Sequence, residues 1–268
     1  MGFLSEILAA NRSVVEDDSY LDGLPPPGRA TRPSLKRAIE SNRGTGSLVV
    51  EYKRVSPGQV EPNLPPRALS EFVQIGDRAG VTGYSCLATG PRFLGRPLDV
   101  FEIARATPLP VLFKDFIAHE RQLEAAARSG ASAVLLVARL ASERYLTQPI
   151  SELADSAHRR GLEVLLEFHA EAELSEADGV AADVYGVNVR NLDSLRIDRP
   201  VAESTLRRAR ESGLDPLLGL SGVESPADAQ RFWSLGVDGI LVGTSVARSV
   251  HPEDLLRSLR RPRSREGP

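Results

Sequence analysis

The chain has 268 residues, 41% of them hydrophobic and 26% charged, which is typical of a folded protein with one large α/β domain or two smaller ones. The formal net charge of −3 gives no electrostatic basis for binding nucleic acid or an anionic membrane. A single cysteine, Cys86, excludes an internal disulfide and a multi-cysteine metal site. With no signal-peptide pattern and no apolar run long enough to span a bilayer, we expect a cytoplasmic protein. No long apolar edge is evident, so we also expect a monomer.

Residues 1–47 are expected to form a helical extension that packs on the main domain. Apolar positions recur at helical spacing over residues 3–16, and residues 34–41 have the pattern of a second short helix. The segment 23–33 between them is rich in proline, which excludes a continuous helix.

From residue 48 onward, short apolar runs alternate with amphipathic segments. Such runs are typical of strands whose sheet is covered by helices. The predicted strands are 48–53, 81–87, 110–114, 133–138, 163–167, 184–188, 216–220 and 239–242. The predicted helices are 66–79, 98–106, 118–129, 149–160, 170–178, 200–212, 225–235 and 252–260.

Eight strand–helix units predict a closed (β/α)8 TIM barrel over residues 48–260, followed by a polar tail over residues 261–268. Glycines such as Gly130 follow predicted helices, where a left-handed cap is needed, and prolines such as Pro200 lie near helix starts. The alternative is a doubly wound open sheet. That fold would require a glycine fingerprint after its first strand, and the sequence has none there.

Charged residues cluster at the predicted strand ends. In barrels of this kind, the chemistry lies at the carboxyl ends of the strands. Glu51 and Lys53 end the first strand, Lys114 the third and Glu167 the fifth. Taken alone, Glu51 and Lys53 are explained equally well as a structural salt bridge and as part of an active site. Convergence of all four at one mouth instead predicts catalysis, because acids and amines in a desolvated site shift each other's pKa values. A lysine there would be a general acid or a Schiff-base nucleophile.

Other strand-end residues have simpler interpretations. Asn188 ends the sixth strand and Arg190 follows it, so both belong to the same mouth of the barrel. Asp115 is expected to cap the helix that follows the third strand, and His169 is expected only to begin a helix.

The loops after the seventh and eighth strands predict a phosphate site. Both are built from small residues that leave backbone N–H groups approachable, and the second opens a short helix. We also expect Arg54 to assist from the opposite side. The residues assigned to this phosphate site are Ser56, Ser221, Gly222, Gly243 and Thr244.

Five stretches resemble those of the indole-3-glycerol phosphate synthase family of tryptophan biosynthesis. The likeness covers almost the whole chain, including the segment 32–35 before the first strand. The strand-one and strand-three motifs together are specific to this family. The five stretches are Val50-Glu51-Tyr52-Lys53-Arg54-Val55-Ser56-Pro57, Val111-Leu112-Phe113-Lys114-Asp115-Phe116-Ile117, Gly161-Leu162-Glu163-Val164-Leu165-Leu166-Glu167-Phe168-His169, Gly186-Val187-Asn188-Val189-Arg190-Asn191-Leu192 and Ile240-Leu241-Val242-Gly243.

The resemblance implies conversion of 1-(2-carboxyphenylamino)-1-deoxyribulose 5-phosphate, an aryl-amino sugar phosphate, to indole-3-glycerol phosphate. Ring closure, decarboxylation and dehydration would proceed without a metal or an organic cofactor. Lys114 would protonate the substrate ketone during ring closure. Glu167 would assist proton transfer in the dehydration, paired with Lys53 and Glu51. The substrate-orienting residues implied by the resemblance are Asn188 and Arg190, with Arg190 toward the anthranilate carboxylate.

The sequence departs from the family pattern at two strand ends. Leu220 stands where the family has a glutamate facing the substrate, and Ala88-Thr89 stand where it has a threonine and an acid. Three alternatives to the family reaction stay open. The chain would be a paralogue acting on a related aryl-amino sugar phosphate in specialised metabolism, a non-catalytic phosphate-ligand-binding member, or a Schiff-base aldolase using Lys114 or Lys53.

A long loop that begins at Ser56 and runs through Pro66 follows the first strand. We expect it to cover bound substrate, since such loops commonly close barrel active sites.

Overall fold

Eight parallel strands form the centre of the molecule and close on themselves. Each strand pairs with the next, and the eighth returns to pair with the first, as in a TIM barrel. The predicted (β/α)8 barrel is therefore confirmed, and the doubly wound open sheet is excluded. The computed structural model describes residues 3–26, 28, 32–56, 68–90, 92–192 and 194–262. The strands are β1 (Ser47–Tyr52), β2 (Gly83–Leu87), β3 (Val111–Lys114), β4 (Ala133–Val137), β5 (Glu163–Phe168), β6 (Val184–Asn188), β7 (Leu217–Leu220) and β8 (Gly239–Val242).

Helices precede the barrel and follow its strands. The helix bounds are α1 (Phe3–Glu16), α2 (Leu35–Ser41), α3 (Leu69–Ala79), α4 (Pro97–Ala106), α5 (Glu120–Arg128), α6 (Ala138–Ser142), α7 (Ile150–Arg159), α8 (Arg199–Glu211), α9 (Pro226–Ser234), α10 (Thr244–Arg248) and α11 (Pro252–Ser258). Two 3-10 helices span Asp18–Leu21 and Glu171–Ala177. Among these helices of the described part, none is long and apolar enough to cross a membrane.

The predicted α-helix over 170–178 is corrected to the 3-10 helix Glu171–Ala177. In its first turn, the Glu173 carboxylate accepts the backbone N–H of His169 at 2.7 Å. The prediction that His169 begins a helix is also corrected, since the 3-10 helix starts two residues later, at Glu171. The five-residue helix α6 and the 3-10 helix Asp18–Leu21 were not predicted, because segments this short carry no full apolar period.

Alternation along each strand separates the barrel interior from the surface under the helices. Val49 of β1 belongs to an interior cluster with Leu112 and Leu165, whereas Val50 packs in the cluster under the outer helices. Glu51 follows Val49 by two residues, so it also points into the barrel. The interior therefore changes from apolar at its base to charged at the carboxyl ends of the strands.

The two α-helices that precede β1 pack against opposite ends of the barrel. Leu35 and Ile39 of α2 are fully buried in the interior cluster. The Glu163 carboxylate at the start of β5 accepts the backbone N–H of Lys36 at 3.0 Å. At the other end, Ile7 of α1 packs in a small cluster that includes Leu87, the last residue of β2. Thus α1 lies beside the barrel mouth and α2 closes the base.

Two predicted features lie largely outside the described residues. Positions 57–67 of the loop expected to cover substrate are among them, and so are positions 263–268 of the predicted tail.

Candidate active site

A cavity opens at the carboxyl ends of the strands. Its wall combines charged groups at the strand ends with apolar side chains from β2, β4, β8 and the loops. The lining residues are Glu51, Lys53, Leu87, Thr89, Phe93, Lys114, Asp115, Phe116, Leu135, Glu167, Asn188, Arg190, Leu192, Leu195, Ser221, Gly222, Val223, Glu224, Leu241, Val242, Gly243 and Thr244. Apart from Ser56 and Arg54, every residue that the sequence assigns to the site lines this one cavity.

Glu51 lies between two lysines. Its Oε1 is 2.8 Å from Lys53 Nζ, and its Oε2 is 3.6 Å from Lys114 Nζ. The three side chains are 6%, 9% and 18% exposed. Gly243 of the β8 loop backs this group, since a Cβ there would lie 2.9 Å from Glu51 Oε1 and 3.1 Å from Lys53 Nζ. A glycine at that position is therefore what allows the pair to sit so close to the loop.

The environments of the two lysines differ. Burial lowers the pKa of Lys53 below its usual value, even though Glu51 opposes the shift. Burial acts on Lys114 in the same direction, but the charges of Glu51 and Glu167 outweigh it and raise the pKa of Lys114. Burial would raise the pKa of Glu51, but the two ammonium groups lower it overall. The site thus holds two ammonium groups of different acidity around one carboxylate.

Glu167 is 2% exposed and is held on one side. Its Oε1 accepts from Asn188 Nδ2 at 3.2 Å and lies 3.2 Å from His169 Nε2. Its Oε2 has no hydrogen-bond partner among the described residues. Burial would raise the pKa of Glu167, but His169, Lys114 and Asn188 outweigh it and hold that pKa below the usual value. Because Glu167 lines the cavity, its buried and unpartnered Oε2 can exchange a proton with a ligand that enters there.

Asn188 and Arg190 are linked through the backbone. The Arg190 N–H donates to Asn188 Oδ1 at 3.0 Å, so one amide side chain orients both Glu167 and the start of the β6 loop. The Arg190 guanidinium donates to the Leu195 carbonyl at 2.7 Å, and its burial lowers its pKa. Arg190 therefore presents a fixed cation at the cavity wall.

The loops after β7 and β8 lie side by side. Ser221 and Gly222 both have positive φ, at 65° and 71°. A Cβ on Gly222 would approach Val189 to 2.5 Å, so only glycine fits. Such a turn exposes consecutive N–H groups suited to an anion. Ser56, which follows the neighbouring strand β1, has its Oγ 3.3 Å from Thr244 Oγ1.

Arg54 does not reach this anion site. Its guanidinium pairs with both oxygens of the buried Asp99, at 2.8 and 3.1 Å, and it does not line the cavity. Asp115 likewise does not cap α5, whose N-cap is His119. Its carboxylate instead accepts from Asn11, Thr89 and Gln122 at 2.8–2.9 Å and from the Phe116 N–H. Both predictions for these residues are corrected.

Sequence reasoning missed two groups beside the cavity. His169 is 4% exposed as a side chain and lies between Glu167 and Glu173. The i, i+2 spacing of Glu167 and His169 on one strand face was the signal that could have identified it. The apolar part of the cavity wall was missed too, since its members come from separate loops; it includes Phe93, Phe116 and Leu192.

No cluster of three or more histidine, cysteine, aspartate or glutamate side chains with metal-binding geometry occurs in the part of the chain that the structure describes.

Comparison with known proteins gives a consistent result. A family model described as indole-3-glycerol phosphate synthase matches residues 12–259. An indole-3-glycerol phosphate synthase of Methanopyrus kandleri is 35% identical over 96% of this chain and 97% of its own length. One from Deinococcus radiodurans is 32% identical over 87% of this chain and 84% of its own. Among solved structures, a thiamine phosphate pyrophosphorylase from Pyrococcus furiosus superposes with a TM-score of 0.58 at 18% identity, over 82% of this chain and 95% of its own, and shares the fold.

Proposed function

The chain belongs to the indole-3-glycerol phosphate synthase family, whose members are lyases of tryptophan biosynthesis, and from this premise we propose how its residues divide the reaction. The substrate is 1-(2-carboxyphenylamino)-1-deoxyribulose 5-phosphate, and the enzyme acts as a carboxy-lyase. The observation that carries the assignment is the arrangement of Lys53, Glu51 and Lys114, with nitrogen–oxygen distances of 2.8 and 3.6 Å, at the mouth of the barrel.

Lys114 is the proton donor for ring closure. Its pKa is raised by Glu51 and Glu167 against the effect of burial, so it is charged at neutral pH. The aryl carbon that bears the carboxylate attacks the ketone carbon, and the carbonyl oxygen takes a proton from Lys114 as it becomes a hydroxyl. Loss of CO2 then restores the aromatic ring. A charged Lys114 cannot form a Schiff base, which argues against an aldolase mechanism through Lys114.

Dehydration uses a second acid and a base. Burial makes the Lys53 ammonium more acidic than a free lysine, so Lys53 protonates the departing hydroxyl. The unpartnered Oε2 of Glu167 accepts the proton from the methylene carbon beside the nitrogen, which forms the indole double bond. Glu51 holds both lysines in place. In one turnover the substrate receives two protons, from Lys114 and Lys53, and gives one to Glu167. The reaction therefore takes up one proton from solvent for each carboxylate that departs as CO2.

Substrate contacts are distributed around these groups. Asn188 and Arg190 orient the substrate, with the Arg190 cation toward the anthranilate carboxylate. The aryl ring lies against the apolar wall that includes Phe93 and Phe116. The phosphate is held by backbone N–H groups and hydroxyls of the paired loops; the residues proposed for it are Ser56, Ser221, Gly222, Gly243 and Thr244.

A paralogue with another substrate and a non-catalytic binder are not favoured. The departure at Leu220 does not touch the cavity, and the charged residues at the mouth form a connected set. The sequence-based expectations of a monomer and of a cytoplasmic location stay predictions, and light scattering of the purified protein tests the first of these.

A fluorescence assay tests the proposed function. Purified protein mixed with the carboxyphenylamino-deoxyribulose phosphate should develop indole fluorescence, and no signal at micromolar enzyme would contradict the reaction. Lys114→Met should lose at least ~10²-fold in kcat, since a general acid contributes that much. Lys36→Met is the matched control, because Lys36 is the only lysine besides Lys53 and Lys114 and lies on α2 at the barrel base.

A further inference from the structure

His169 lies directly behind Glu167. Its Nε2 is 3.2 Å from Glu167 Oε1, and its side chain is 4% exposed. The residues that line the cavity include Glu167 but not His169. A substrate in the cavity would therefore contact Glu167 and not the imidazole.

Glu173 lies on the far side of the imidazole. Its Oε2 is 3.6 Å from His169 Nδ1 and also accepts the backbone N–H of His169 at 2.7 Å. Its side chain is 9% exposed. The order Glu173, His169, Glu167 thus places a ring with two protonatable nitrogens between two carboxylates.

Charge accounts for this arrangement better than directed hydrogen bonds. Neither ring nitrogen has a hydrogen-bond partner among the described residues, although both lie within ion-pair distance of a carboxylate. Burial would lower the pKa of His169, but the two carboxylates outweigh it and raise that pKa to about 9. At neutral pH the ring is an imidazolium flanked by two anions.

We propose that His169 and Glu173 are positioning residues that hold Glu167 from behind, fixing its Oε1 and leaving Oε2 to accept the substrate proton. The inference rests on the proposed role of Glu167 as the base of the dehydration. The cation keeps Glu167 ionised between turnovers, and Asn188 fixes the same oxygen from β6. Lys114 of β3, which lines the cavity, is a further titratable group that acts on Glu167.

The pH dependence of kcat tests this assignment. In His169→Gln and His169→Leu, removal of the cation should raise the pKa of Glu167, so the acidic limb should move to higher pH by roughly one unit or more. We expect kcat to fall roughly tenfold or more while KM changes little, because a base acting in the chemical step is affected rather than binding. A purely structural role would lower stability and leave the limb in place.

Glu173→Gln provides an independent measurement. It removes the outer carboxylate but keeps an amide oxygen for the His169 N–H. The pKa of His169 should then fall, so activity should be lost at a lower pH on the basic side than in the unaltered enzyme. This variant also keeps the proposal testable if His169→Leu does not fold.

His158→Gln is the matched control. His158 also pairs with a carboxylate, Asp183, at 2.8 Å, but on the outer surface of the barrel. Its pH profile should match the unaltered enzyme. Profiles of His169→Gln and Glu173→Gln that also superpose on it would overturn the proposal. Glu167→Gln distinguishes failure of the proposed function from failure of this inference. If Glu167→Gln keeps full kcat, Glu167 is not the base of the dehydration. If Glu167→Gln is inactive but the pH profiles of the His169 variants are unshifted, only the positioning role of His169 and Glu173 fails.

Discussion

Leu220 of β7 packs against the bare Cα of Gly186 on the neighbouring strand β6. A Cβ on Gly186 would lie 2.7 Å from Leu220 Cδ1. Leu220 is 1% exposed and belongs to the interior cluster rather than to the cavity wall. The family pattern has a substrate-facing glutamate at this position. In this chain the position is therefore part of the apolar barrel interior.

Leu220→Ala should destabilise the fold and leave the chemistry intact. Emptying this close-packed site should cost about 2–5 kcal/mol in urea unfolding. The kcat of the folded enzyme should stay near the unaltered value. Leu135→Ala is the matched control, since Leu135 is in the same cluster but also lines the cavity, so it should raise KM as well. A large loss of kcat in Leu220→Ala would mean that Leu220 acts on the substrate.

Gly243→Ala should damage the active site without unfolding the barrel. The new methyl would lie 2.9 Å from Glu51 Oε1 and 3.1 Å from Lys53 Nζ, so the charged pair must move. We expect kcat to fall roughly 10²-fold, as for a displaced acid–base group. Gly44→Ala is the control, because nothing lies within 4 Å of the added carbon there. Equal kcat values in the two variants would show that the pair tolerates displacement.

The convergence of Glu51, Lys114 and Glu167 was predictable because strand alternation and the barrel rule together fix the face and the end of the strand. The contacts around these three residues could not be predicted in the same way. The pairing of Arg54 with Asp99 and the burial of Leu220 depend on side-chain packing between separate elements. No local pattern encodes such contacts, so sequence alone placed Arg54 in the wrong site.

Glu51→Gln should shift the basic limb of the kcat profile to lower pH. Glu51 raises the pKa of Lys114 and that of Lys53, in each case against burial. Without its charge, both ammonium groups should lose their protons at lower pH, and an enzyme that needs them protonated should lose activity there. We expect a shift of roughly one unit or more. A basic limb that stays in place would show that neither lysine acts as an acid in the rate-limiting step.

Stability should depend on pH through His169. Its pKa rises from 6.5 to about 9 on folding, so its ion pairs stabilise the folded state fully below pH 6.5. That contribution, on the order of 3 kcal/mol, is lost as pH rises through about 9. Urea unfolding of the unaltered protein and of His169→Gln should therefore differ most at pH 6 and converge by pH 10. A difference independent of pH would assign the loss to packing instead.

The hydroxyl pair at the mouth should act on the substrate phosphate. Ser56 Oγ and Thr244 Oγ1 lie 3.3 Å apart on the β1 and β8 sides of the cavity. Ser56→Ala and Thr244→Val should each raise KM by roughly tenfold, the loss of a hydrogen bond to a charged group, with little change in kcat. Because both hydroxyls would contact one phosphate, the free-energy loss calculated from KM in the double variant should be smaller than the sum of the losses in the two single variants. An analogue of the substrate without its phosphate supplies the control, since its binding should be unaffected by either substitution. If both variants weaken the analogue as much as the substrate, the pair stabilises the two loops and does not bind phosphate.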